Sequence, residues 1–126
     1  MFNIKHCFYL LILSIKESFM LEKDFGRLAE KTLDKLADAL DSLDGSGDLE
    51  LEYQNGILNI TLNSGKQFII NKHAPSQQIW LSSPVSGGVH FSYDTVSENW
   101  KLSDGKSLSE ILSTELKTLA NIEVVL

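Results

Sequence analysis

The spacing of apolar residues changes twice along this chain, and those changes restrict its fold more than any other feature. Phe25, Leu28, Ala29, Thr32, Leu33, Leu36, Ala37 and Leu40 recur at i, i+3, i+4 and i+7. That stripe predicts an amphipathic helix of more than four turns. Asp44-Gly45-Ser46-Gly47 breaks it. The period then drops to two. Leu49, Leu51 and Tyr53 alternate with Asp48, Glu50 and Glu52, which predicts a strand with one apolar face. Asn55-Gly56 is a hairpin turn, and Leu58, Ile60 and Leu62 mark a second strand. A third strand runs from Lys66 to Asn71, with Phe68 and Ile70 inward. Lys72 to Ser76 forms a loop, and a fourth strand covers Gln77 to Ser82. Two weaker strands follow near Val89–Tyr93 and Glu98–Leu102. The helical period then returns. Ser107-Leu108-Ser109-Glu110 is a capping box, and Leu108, Ile111, Leu112, Leu116 and Leu119 form the stripe behind it.

Strands joined by tight hairpins pair antiparallel, and two amphipathic helices cover one face of such a sheet. The expected fold is therefore an α+β two-layer sandwich: an antiparallel sheet of five to six strands, covered on one face by the N- and C-terminal helices. A chain of 126 residues, 43% hydrophobic, suits one such domain. We assign it to residues 20–126. Residues 1–19 are read as an N-terminal extension, upstream of a start at Met20. Their apolar run, Phe8 to Ile15, is too short for a membrane span of about 20 residues. The lone Cys7 excludes an internal disulfide, and no CxxC or HExxH pattern suggests zinc.

The net charge of −6 is concentrated in one stretch. Residues 36–65 hold six carboxylates (Asp38, Asp41, Asp44, Asp48, Glu50, Glu52) and no base. Such a surface repels nucleic acid and anionic lipid and attracts cations or a basic partner. On the first helix Glu30, Asp34, Asp38 and Asp41 line up as one carboxylate stripe, with Lys31 and Lys35 spaced to pair with Asp34 and Asp38. The stripe alone reads first as a solvated face that aids solubility. In the fourth strand, alternation puts Gln78, Trp80 and Ser82 on the uncovered face. Trp80 there is either a half-buried packing residue or a binding anchor.

Ile70-Asn71-Lys72-His73-Ala74-Pro75-Ser76-Gln77-Gln78-Ile79-Trp80-Leu81-Ser82-Ser83-Pro84-Val85-Ser86-Gly87 resembles the signature of the frataxin family. Asn99-Trp100 before Asp104-Gly105, and the acidic first helix and strand, resemble it in order and spacing. The start at Met20 resembles the bacterial, CyaY-type branch. The resemblance implies an iron-binding accessory protein of iron–sulfur cluster assembly. It implies weakly bound Fe²⁺ or Fe³⁺ on Glu30, Asp34, Asp38, Asp41, Asp44, Asp48 and Glu50. It also implies a cysteine desulfurase and a scaffold protein as partners, met through Asn71, Gln78 and Trp80. A monomer is expected, with iron-induced oligomers, in the bacterial cytoplasm or alternatively the mitochondrial matrix. An enzymatic alternative is a ferroxidase oxidising Fe²⁺ to Fe³⁺, although the chain has no Glu-x-x-His pair of the kind di-iron oxidases use. One departure is that Val89 and His90 stand where many mitochondrial members carry a basic residue.

If residues 1–19 are dispensable, a chain beginning at Met20 should melt at the temperature of the full chain. A loss of several degrees in a thermal melt would show that the extension packs on the domain.

Overall fold

The computed structural model describes residues 20–44 and 47–126. The extension 1–19 and the two central residues of the expected turn, Gly45 and Ser46, lie outside the described residues. Helix α1 (Glu22–Asp41) is followed by strands β1 (Leu49–Gln54), β2 (Ile57–Leu62), β3 (Gln67–His73), β4 (Gln78–Ser83), β5 (Gly87–Asp94) and β6 (Asn99–Lys101), then helix α2 (Leu108–Ala120). The six strands pair antiparallel in sequence order. Both helices contribute to one core on one side of this sheet, so the α+β two-layer sandwich is the observed architecture.

Local chemistry explains the turns. Asn55 and Gly56 take φ of 56° and 73°, the paired left-handed conformation that a two-residue hairpin requires. The capping box of α2 forms as expected: Ser107 Oγ accepts from the Glu110 N–H, and the Glu110 carboxylate accepts from the Ser107 N–H. The core follows the two periods. Phe25, Ala29, Leu33, Leu36 and Leu40 of α1 and Leu108, Leu112 and Leu116 of α2 meet Leu49, Leu58, Ile60, Leu62, Phe68, Ile70, Ile79, Leu81 and Phe91 of the sheet.

Trp100 of β6 fixes α1 to the sheet. It is 4% exposed, with Phe25 and Tyr93 edge-on at ring-centroid distances of 5.9 and 5.2 Å. Its indole N–H donates to Thr32 Oγ1 at 2.8 Å, and that hydroxyl donates to the Leu28 carbonyl one helical turn back. Thr32 thus belongs to the stripe as a polar partner for the indole.

Three local expectations are corrected. The third strand does not stop at Asn71 but continues through Lys72 and His73, paired with Ile79 and Gln78, and the chain turns in the short 3₁₀ segment Ala74–Ser76. Gln77 is not the first strand residue: its φ is 53°, and its side-chain amide exchanges two hydrogen bonds with the Met20 backbone, at 2.8 and 2.6 Å. The buried stripe of α2 also contains a carboxylate, Glu115, 7% exposed. It accepts from the hydroxyls of Ser83 and Ser86, while Ser83 Oγ accepts from the N–H groups of Val85 and Ser86. Among the described residues these hydrogen bonds satisfy the buried group, and they hold the loop after β4 against the helix.

Trp100→Ala should cost about 3–5 kcal/mol of stability in a urea melt, as for other buried tryptophans. Thr32→Val keeps the shape but orphans the indole N–H, and should cost about 1–3 kcal/mol. A Thr32→Val protein as stable as the parent would show that the indole finds another acceptor.

Candidate functional site

Helical periodicity and the edge position of β1 together build an acidic ridge. Glu30, Asp34, Asp38 and Asp41 all lie exposed on the outer side of α1, and Asp44, Asp48 and Glu50 are exposed along the connection and the first strand. The register places Glu50 and Glu52 opposite Thr61 and Asn59, on the sheet face away from the helices. The ridge therefore wraps around the sheet edge instead of lying on one plane. Among the described residues no three His, Cys, Asp or Glu side chains are grouped to enclose a metal ion.

The ridge is neutralised unevenly. Glu30 accepts from Lys72 Nζ of β3 at 2.9 Å, and Asp34 accepts from the Tyr53 hydroxyl of β1 at 2.7 Å. The expected pairing of Asp34 and Asp38 with Lys31 and Lys35 does not form among the described residues. Partners across the sheet engage Glu30 and Asp34 instead. Asp44 Oδ1 accepts from the Leu51 N–H at 2.9 Å, so that carboxylate also starts β1. Asp38 and Asp41 occupy the last turn of α1, which contains no base. Carboxylates there face the negative end of the helix dipole, an arrangement that a cation relieves.

Tyr53 records this field. Desolvation first, then the hydrogen bond to the Asp34 carboxylate and the charges of Asp34 and Glu30, push its phenol up to about 12. Chemically, the ridge suits a hard or borderline cation such as iron, whose oxygen donors these carboxylates supply. Neighbours at i and i+4 are about 5–6 Å apart, so two carboxylates reach one ion and water completes its shell.

The uncovered sheet face is the second surface. It brings together all three residues expected there: Asn71 stands opposite Trp80 in the β3–β4 register, and Gln78 lies two residues along β4. The Trp80 indole N–H donates to Gln78 Oε1 at 3.0 Å, and Gln78 Nε2 donates to Ser92 Oγ of β5 at 3.3 Å. Two residues not assigned to this surface from sequence join them. The His73 ring stacks on one face of the indole, 3.7 Å between centroids and 11° from parallel. The His90 ring stacks on the other, at 4.2 Å and 10°. The signal was latent in the alternation from Asn71 and in the β4–β5 pairing, which sets His90 directly opposite Trp80.

The sequence and the fold are similar to those of known proteins. The sequence profile of the frataxin-like domain matches residues 18–122. A curated mitochondrial frataxin homolog from Schizosaccharomyces pombe is 38% identical over 100 residues, which cover 76% of this chain and 63% of that protein. This chain thus spans just under two thirds of that relative. Among solved structures, the frataxin of Psychromonas ingrahamii superposes with a TM-score of 0.72 over 83% of this chain and 96% of that one, at 21% identity. The trimeric frataxin of Saccharomyces cerevisiae, complexed with ferrous iron, superposes with a TM-score of 0.64 over 75% of this chain and 87% of that one, at 30% identity.

The Tyr53–Asp34 contact has a pH signature. A phenol raised above its ordinary value stabilises the fold fully below about pH 10, and that contribution is lost as pH rises through about 12. Asp34→Ala removes the hydrogen bond and the nearer charge but leaves the desolvation. Ultraviolet titration should then show Tyr53 ionising at lower pH than in the parent, with Tyr53→Phe identifying its signal. An unshifted midpoint would remove Asp34 as a cause.

Proposed function

The chain belongs to the frataxin family, and we propose that it is an iron-binding accessory protein of iron–sulfur cluster assembly that acts on a cysteine desulfurase–scaffold complex. The observation that carries this reading is the uncompensated end of α1. Asp38 and Asp41 sit at the negative pole of a 20-residue helix with no base in its last turn, and Asp44 follows. A fold gains nothing from like charges in that position. A cation does, and an exposed carboxylate pair with water in its shell binds weakly enough to release it again. Glu30 and Asp34 are engaged by Lys72 and Tyr53, so we place the main iron contacts at Asp38 and Asp41, with Asp44, whose Oδ1 accepts from the Leu51 N–H, Asp48 and Glu50 continuing the path around the edge.

The open face, with Asn71, Gln78 and Trp80 side by side, supplies the surface for the protein partner. Its centre is an aromatic side chain with polar neighbours, the composition of interface anchors. Binding, not oxidation, is the reading favoured. A di-iron oxidase centre groups Glu and His inside a helical core, whereas the described histidines, His73 and His90, sit on the sheet face beside Trp80. We read the chain as a monomer whose ridge keeps copies apart until iron neutralises it. A bacterial-type cytoplasmic location is part of the same proposal. The name of the fission-yeast relative favours the mitochondrial matrix as the alternative.

Asp38→Asn, Asp41→Asn and Asp44→Asn combined should weaken iron binding and raise low-salt stability, by about 0.3–1 kcal/mol for each charge removed from the last helical turn. Asn is chosen because at position 44 it keeps an acceptor for the Leu51 N–H. A calorimetric iron titration identical to the parent's would exclude the ridge as the metal site. Cluster synthesis in a reconstituted desulfurase–scaffold assay, with and without the protein at several iron levels, tests the role itself.

A further inference from the structure

We propose that the outer edge of β1 is a self-association surface, on which a second copy of this chain adds its own β1 as an antiparallel strand, and that Asp44 is the guard that keeps this edge closed. β1 ends the sheet and pairs with β2 on one side only. The two-residue turn at Asn55-Gly56 makes Gln54 and Ile57 the hydrogen-bonded pair that closes the hairpin. Because the bonding direction alternates along a strand, the backbone groups of Gln54, Glu52 and Glu50 point to β2. Those of Leu49, Leu51 and Tyr53 point outward. A row of outward N–H and C=O groups is a template for another strand.

The guard comes from the connection that precedes β1. Asp44 bridges Leu49 in the parallel sense, and its Oδ1 accepts the outward Leu51 N–H at 2.9 Å. Asp44 thus closes the edge at Leu49 and Leu51. Tyr53 is left before the chain turns, and a single residue does not start a ladder. No metal enters this arrangement.

The occupant that fits the uncovered edge is the same strand from another copy. A two-fold axis through Leu51 sets Leu51 opposite Leu51 and Leu49 opposite Tyr53, so the outward donors of one strand meet the outward acceptors of the other. The Leu51 N–H lies next to that axis, and its bond would occur twice in the pair. Asp44 holds the one donor on which the symmetric pairing is centred. Side chains oppose the same docking. Glu50 of one copy would stand opposite Glu52 of the other on the open face, where like charges destabilise a strand pair. Two separate barriers therefore keep the edge unpaired, a hydrogen-bonded cover and a charge repulsion. Salt screens the second and leaves the first in place.

The full chain and two variants separate these barriers. Asp44→Asn keeps an acceptor for the Leu51 N–H and removes the charge, whereas Asp44→Ala removes both. Sedimentation velocity is measured at low salt and at about 1 M salt, where the Debye length is about 3 Å. In high salt Asp44→Ala should dimerise on the order of tenfold more tightly than wild type, the scale of two added backbone hydrogen bonds. Asp44→Asn should stay as monomeric as wild type. Amide hydrogen exchange then locates the contact. In Asp44→Ala the Leu51 N–H should exchange fast in dilute protein and become protected as concentration rises. Residues 1–19 are the same in all three proteins, so association through them does not distinguish the variants. The guard assignment falls if Asp44→Ala is as monomeric as wild type in high salt, or if Asp44→Asn associates as strongly as Asp44→Ala. The β1 edge falls as the interface if Asp44→Ala dimerises while its Leu51 amide stays unprotected.

Discussion

A six-stranded antiparallel sheet with helices on one side only has to satisfy two environments with one chain, and the docking of α1 is what separates them. The contact that fixes it is the Trp100 cluster, in which an edge-on Phe25, an edge-on Tyr93 and the Thr32 hydroxyl together bury an indole without orphaning its N–H. Once α1 is pinned there, its outer stripe comes to lie along the β1 edge. Every other strand residue then faces either the core or an uncovered sheet. Both candidate surfaces are consequences of that one placement. The ridge is the part of α1 and β1 that the core does not use, and the aromatic stack is the matching remainder of β3 to β5.

Charge along the ridge is graded, and the gradient has a structural origin. Midway along α1, strands of the sheet reach the helix: Lys72 meets Glu30 and Tyr53 meets Asp34. The last turn of α1 contains no base. Carboxylates thus accumulate where the helix dipole is also negative. Stability favours the opposite arrangement, and the proposed function assigns this end of the ridge to a cation supplied from solution. The same crowding limits how tightly the cation is held, because exposed carboxylates at helical spacing do not close around it.

Much of this was legible in the sequence because it is local. The 3.6 and 2.0 periods, the Asn55-Gly56 hairpin and the Ser107–Glu110 capping box are each written within a few residues of one another, and all four appear as expected. That Asn71, Gln78 and Trp80 share the uncovered face was also legible, since strand alternation together with the β3–β4 pairing puts them there; a partner role for them came from the family resemblance alone. The misreadings have one physical cause, partners distant in sequence. Lys31 and Lys35 have the spacing to serve Asp34 and Asp38, yet Tyr53 and Lys72 reach the stripe from other strands. Gln77 looks like strand until its amide is seen closing on Met20, 57 positions away. Glu115 breaks an apolar stripe with no local sign that Ser83 and Ser86 will hydrogen-bond it. His73 resembled a loop residue because Pro75 follows it, although pairing with Gln78 carries the strand that far.

The two surfaces meet on β3, and the way they meet bears on how the proposed iron and protein partner would share the molecule. Lys72 and His73 are consecutive, so their side chains leave the strand on opposite sides. The first reaches Glu30 on the ridge, and the second stacks on Trp80. Under the proposed function, a cation near Asp38 and Asp41 and a protein over β3–β5 would therefore lie on different sides of the sheet and would not compete for area. Contact between them becomes possible only around the β1 edge, where Glu50 and Glu52 bring carboxylates onto the open face. A partner large enough to extend from Trp80 to that edge covers the last acids of the ridge. Such a partner could then, under the proposed function, contribute to the coordination shell that the exposed carboxylates of the ridge do not complete.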